Sequence, residues 1–187
     1  MKLVQSALLM GVLLSLSAGR AYAQNAEWKA MVHVDLTRPG PMSWLATEVW
    51  PDIAAKENAY VRDVLKRSLP AGGASLRLQH ASFEIGEIAY FVSIALSLDC
   101  KAGANHKTSS AEPSLCPLRI SVKDPGGWKT VVSDRGCYVD PQGSTASAAH
   151  QFDGAQMQFD PSRRVIRLRA NVGGAWVAAC TRSFPIP

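Results

Sequence analysis

The sequence predicts an α+β fold: one main helix packed on a curved antiparallel β-sheet, held by two disulfides. Three observations carry that expectation. Large apolar residues alternate with small or polar ones along several segments. One segment alone has the spacing of an amphipathic helix. Four cysteines stand in a chain of 187 residues that opens with an export signal.

The signal comes first in the chain. Lys2 precedes an apolar stretch from Leu3 to Leu16, and Ala21-Tyr22-Ala23 is a small-x-small cleavage site. That is the pattern of a secretory signal peptide. Residues 1–23 are expected to be removed, leaving residues 24–187 as a single domain that begins at Gln24. No cysteine follows the apolar stretch to take a lipid, and no twin arginine precedes it. Asn25, Asn58, Asn105 and Asn171 all lack a Ser or Thr two residues on. Without a glycosylation acceptor, a bacterial periplasm is favoured over a eukaryotic secretory route.

Trp28 to Leu36 alternates and reads as a strand, broken by Arg38-Pro39-Gly40-Pro41. Met42 to Trp50 has no clear period. Asp52 to Leu69 is the helix, with Ile53, Ala54, Val61, Val64, Leu65 and Leu69 on one face, Pro51 in its first turn and Pro70 and Gly72 beyond its end. Leu76 to Ile85 reads as a strand, and Gly86 permits a turn. The run from Ile88 to Leu98 is too short to span a bilayer, which needs about 20 apolar residues. Its large residues Ile88, Tyr90, Val92, Ile94, Leu96 and Leu98 fall on alternate positions, so it is a strand. Phe91 is the exception and belongs under another element. Leu118 to Val122, Trp128 to Ser133 and a short stretch near Cys137 complete the middle of the chain. Residues 141–151 read as loop.

The last strands can be registered by hand. Setting Phe159 opposite Ile166 brings Met157 opposite Leu168 and puts every apolar residue on one face, as register selection requires. After Val172 a three-residue loop, Gly173-Gly174-Ala175, is preferred. It would place Trp176, Ala178 and Cys180 on the core face.

Cys100, Cys116, Cys137 and Cys180 are even in number and contain no C-x-x-C pair, so disulfides are expected rather than a zinc ribbon or a redox motif. The strand order favours Cys100–Cys116 and Cys137–Cys180. The first bridge would clamp the base of a polar fifteen-residue segment, Lys101 to Leu115. Its Asn105, His106 and Lys107 are candidate partner-binding residues, because a loop this long is uncommon unless functional or disordered. A plain strand connection is the competing reading. A second candidate surface is the polar face carrying Gln156, Gln158, Arg167 and Arg169, suited to an acidic partner or an anionic polymer. An antiparallel sheet ordinarily has such a solvated face, which is the simpler explanation.

No reaction motif is found. His33, His80, His106 and His150 have no metal-ligand spacing, and no metal or cofactor is expected. A change of apolar phase near His80 suggests a bulge there, with His80 and Glu84 on a shared face. Ser144, Ser147, His150 and Asp153 sketch a hydrolase site, without a nucleophile elbow to support it. Among the tryptophans, Trp44 and Trp50 flank the segment of unclear period and are candidates to line a ligand groove. The formal charge of +5 falls to +3 without Lys2 and Arg20, which does not argue for nucleic acid. The expectation is a non-catalytic, exported binding protein. An inhibitor or immunity-type protein that blocks a protein partner comes first, a module for a small ligand or envelope polymer second and a hydrolase last.

Cleavage at Ala23 is testable by intact-mass measurement of the exported protein. The expected mass corresponds to residues 24–187, and a mass retaining residues 1–23 would overturn the export reading.

Overall fold

The computed structural model describes residues 27–69, 71–101, 113–140, 153–172 and 174–187. Its strands form two antiparallel five-stranded sheets instead of one curved sheet, and a single main helix packs on one of them. The central sheet consists of β2 (Val32–Asp35), β3 (Arg77–Ile85), β4 (Ile88–Leu96), β5 (Ser114–Asp124) and β6 (Gly127–Tyr138), in that spatial order. The second sheet runs β1 (Lys29–Ala30), β7 (Gly154–Asp160), β8 (Val165–Val172) and β10 (Arg182–Pro185), with β9 (Ala175–Trp176) also pairing to β8. The helix α1 spans Pro51–Asp63. Among the described residues, no helix is long and apolar enough to cross a membrane.

The central sheet is buried on both faces, and this resolves the irregular apolar patterns of the sequence. Tyr90, Val92, Ile94, Leu118 and Ile120 meet Met157, Ile166, Leu168 and Phe184 of the second sheet. On the opposite face, Leu76, Leu78, Phe91 and Ala95 pack beneath Leu45, Trp50 and Ile53 of the helical layer. Phe91, the residue out of phase in β4, therefore lies under another element. The phase change in β3 follows from the same arrangement: Leu78 faces the helix, while Ala81 and Phe83 face the second sheet. No bulge is needed at His80. The β3–β4 ladder runs unbroken from Arg77 opposite Leu96 to Ile85 opposite Ile88, and the register shift lies between Ile120 and Ser121, where β5 pairs with β6.

Other elements differ from the sequence reading in informative ways. Trp28 to Leu36 is not one strand. The chain changes sheets at Met31, whose N–H donates to the Ala155 carbonyl at 2.9 Å, so β1 joins the second sheet and β2 the central one. The helix stops at Asp63, short of Leu69, because Val64 and Leu65 lie beyond the sheet and are exposed, and Lys66 turns to a φ of 51°. Met42 to Trp50 contains a π-helical turn, Leu45–Val49, closed by Trp50 N–H donating to the Leu45 carbonyl at 2.8 Å. The two segments around Trp128 and Cys137 are one long strand, β6.

The hand-made register of the C-terminal hairpin is found: Phe159 faces Ile166 and Met157 faces Leu168. The next connection is one residue shorter than the expected three-residue loop, since Val172 pairs with Ala175 and Asn171 with Trp176. Trp176 thus lies off the core face. Cys180 still reaches the core because the chain leaves β9 for a 3-10 turn, Ala178–Cys180, which reorients it. Both expected disulfides form, Cys100–Cys116 and Cys137–Cys180.

β6 crosses closely over its neighbours at Gly136. A Cβ at that position would stand 2.8 Å from Leu118 Cδ1 and 2.9 Å from Ile94 Cδ1. Both of those side chains are fully packed in the core between the sheets. Gly136→Ala should therefore destabilise the protein by about 1–3 kcal/mol, the usual penalty for overpacking. Denaturant unfolding of the variant beside the wild type checks this, and equal midpoints would refute the close packing.

Candidate functional site

The helical layer covers only part of the central sheet. Trp50, at the junction of the π-turn and α1, is fully buried, so it is a core residue and not part of a groove. Its indole N–H donates to Ser93 Oγ at 3.0 Å, and the Arg119 guanidinium sits 4.5 Å above its ring. Arg119 also donates to the Val49 carbonyl and the Asp52 carboxylate. These contacts fix the layer over one half of the sheet. Beyond it, toward the β3–β4 and β5–β6 turns, the sheet face is left open.

Aromatic rings line that opening. Trp44 stacks on Trp128 with centroids 5.0 Å apart and planes 13° from parallel, and both meet Phe91 in edge-to-face contacts. His80 stacks on the same Phe91 at 4.9 Å. On the other side of β3, Phe83 lies between Tyr90 and Phe159 in a continuous stack, at 4.9 and 4.5 Å. The groove between and around these walls has a volume of about 1260 Å³ and is also lined by Glu27, Lys29, Ser82 and Glu84. Ligand sites are commonly concave, mostly apolar, and carry a few placed polar groups. This groove has that character.

Two histidines lie in or near this half of the molecule. His80 Nδ1 is buried without a hydrogen-bond partner, and burial holds its pKa below the ordinary value. His80, Ser82 and Glu84 sit on alternate positions of β3 and share its face, as expected for the first and last. No hydrogen bond joins these three side chains. His33 belongs to a separate buried network. Gln79 exchanges two 3.0 Å hydrogen bonds with the Val139 backbone, and its Nε2 also reaches His33 Nε2 at 2.8 Å. His33 Nε2 must then accept, leaving the proton on Nδ1, 3.5 Å from the Tyr138 hydroxyl. Burial lowers the His33 pKa against the opposing pull of Asp140, and burial pushes Tyr138 up to about 12.

The other candidate surfaces are placed as follows. Gln156 and Gln158 pair across β7 and β8 with Arg169 and Arg167. Arg169 is already engaged: its guanidinium lies 3.8 Å from the Trp28 ring centroid and 3.7 Å from that of Trp176, and it donates to Gln156 Oε1 at 3.0 and 2.9 Å. The two tryptophans were absent from the sequence reading of this face. Trp176 belongs to it because of the shorter connection. Asn105, His106 and Lys107 lie outside the described residues, as do Ser144, Ser147 and His150. The base of the first loop is described. Lys101 and Leu115 exchange backbone hydrogen bonds at 2.9 and 2.8 Å, and Arg135 donates to the carbonyls of Asp99 and Leu115. Asp153 accepts from the Gly174 N–H. Among the described residues, no three His, Cys, Asp or Glu side chains cluster as metal ligands.

No family model, curated protein or solved structure matches the chain.

The histidines set a sign for the pH dependence of stability. Both His33 and His80 have folded pKa values below that of an unfolded histidine, about 6.5. The unfolded chain then binds more protons below that pH, so stability falls as pH drops from about 7 toward 5. Protonating His33 would also set an N–H against the Gln79 amide donor. Urea unfolding from neutral to mildly acidic pH should show declining stability, with a shallower slope in His33→Gln. Constant or rising stability over that range would contradict the assignment.

Proposed function

We propose that this is an exported, non-catalytic binding protein that holds its partner in the aromatic groove. The two disulfides fit an oxidising compartment, and the signal sequence points to the periplasm or the cell exterior. The observation that carries the reading is the paired aromatic lining, with Trp44 and Trp128 on one wall and Phe83 and Phe159 on the other. A stacked indole pair presents a large, rigid apolar face, and little conformational entropy is lost when it is covered.

An inhibitor or immunity-type role remains compatible with this reading, with the contact moved from the Lys101–Leu115 loop to the groove. The Gln156/Arg167/Arg169 face is a weaker candidate, because Arg169 is stacked on both sides and hydrogen-bonded internally.

Capture from periplasmic extract separates the surfaces. The wild type, a Trp44→Ala/Trp128→Ala variant and a variant with a short Gly-Ser segment in place of the loop are compared, each with a thermal melt. The groove variant is expected to lose its partner, with affinity down by about tenfold or more, as for hot-spot aromatics. The loop variant should retain the partner. The reverse result would move the site to the loop.

A further inference from the structure

The groove follows a strand edge. β3 pairs with β2 only from Arg77 to His80, the last pair being His80 with Val32. On its other side β3 pairs with β4 as far as Ile85. Among the described residues, the strand between Ser82 and Ile85 therefore has a neighbour on one side only. The cause is the sheet change at Met31, which carries β1 away to pair with β7. A wedge opens where β2 would otherwise have continued, and Glu27, Lys29 and Ser82 all line the groove there.

The orientation of the free backbone groups follows from the turn. Ile85 and Ile88 close a two-residue hairpin with Gly86 at a φ of 60°, and such turns close on a hydrogen-bonded pair. In an antiparallel ladder these pairs alternate. Ile85, Phe83 and Ala81 thus direct their amides and carbonyls to β4, and Glu84 and Ser82 direct theirs into the wedge. Neither Ser82 nor Glu84 makes a further backbone hydrogen bond among the described residues.

We infer that an extended segment of a partner polypeptide adds to this free edge of β3 as a sixth strand of the central sheet. The inference rests on the groove reading above and names the ligand class. Strand addition draws affinity from main-chain hydrogen bonds and specificity from pockets for alternate side chains. Both are present. Successive side chains of the added strand would point to opposite faces of the sheet. One set would meet the Trp44/Trp128 wall, the other the Phe83/Phe159 wall. Charge selects the occupant further. The carboxylates of Glu27 and Glu84 line the groove without an ion pair among the described residues; the ammonium of Lys29 also lines it, and that of Lys123 stands 5.9 Å from the Trp128 ring centroid, away from Glu84 on β3. The segment is therefore apolar on both faces and carries a basic residue beside Glu84.

The test uses phage-displayed random dodecapeptides selected against the mature protein and counter-selected against Trp44→Ala/Trp128→Ala. Groove-dependent peptides with an apolar run that carries one basic position are expected. Ser82→Pro removes one outward N–H, and proline is tolerated in a strand only where that N–H is unpaired. It should fold and weaken the selected peptide by about tenfold or more, since that N–H anchors the added strand. N-methylation of the peptide should abolish binding at alternate positions and leave it intact at those between, a signature that decides the matter even if the proline variant misfolds. Glu84→Lys should weaken binding as well. A soluble peptidoglycan strand is the second probe. If it binds in a Trp128-dependent way and no peptide does, strand addition is wrong and the groove reading stands. If neither probe binds the groove, both are wrong. An N-methylation effect without alternation overturns strand addition alone.

Discussion

The position of Trp50 governs how this molecule is layered. An indole buried without a partner for its N–H would lose the desolvation energy of that group, about 1–3 kcal/mol. Ser93, itself buried at the centre of β4, supplies the acceptor. Arg119 closes the other side of the ring and ties the start of α1 to the sheet through Val49 and Asp52. Loss of a core tryptophan of this kind typically removes about 3–5 kcal/mol. The helical layer is thus pinned at one point, and its reach is short. α1 extends away from the hairpin turns, so among the described residues the sheet near Phe91 is covered by side chains instead of helix: Trp44, which precedes the pinned turn, Trp128, which rises from β6, and His80 beside them. The groove is what remains of a sheet face that the anchored helix does not cover.

The second determinant is the sheet change at Met31. A strand that stayed in the central sheet would have paired the full length of β3 and closed the wedge. By crossing to β7 the chain gains the contact of Met31 with the core between the sheets and ties the two sheets together covalently near their edge. One chain event therefore does two things. It joins the layers of the sandwich, and among the described residues it leaves four residues of β3 with an open edge beside two aromatic walls.

Much of this was legible in the residues, and the failures share a cause. Alternation fixed β4 and the β7–β8 register, because one face of each strand had to satisfy one core. Cysteine position relative to the strands gave both bridges. Alternation cannot say which sheet a strand joins, so Trp28 to Leu36 read as a continuous strand although it serves two. It also fails where both faces of a strand are buried at different heights. For this reason the passage from Leu78 to Phe83 looked like a bulge. The connection after Val172 is shorter than alternation implies because Cys180 does not continue the strand: a 3-10 turn carries it inward. Trp44 and Trp128 meet only through tertiary packing, so their stacking had no local signal. The nearest signal was the lack of any period from Met42 to Trp50, which marks a segment shaped by its contacts rather than by propensity.

An open strand edge is ordinarily a hazard, since two copies can pair through it. The edge of β3 carries the usual defences: it is short, it ends in a tight turn, and Glu84 stands on it. Self-pairing across this edge would bring Glu84 carboxylates from two chains to one small area, where like charges oppose contact. On the strand-addition proposal the same carboxylate would attract a basic segment. The aromatic walls alone would not discriminate, because they would cover any apolar strand, including another copy of this one. On the strand-addition proposal the charge on the edge would turn a general liability into a selective surface, and Glu84, not the larger tryptophans, would distinguish docking of a partner from aggregation.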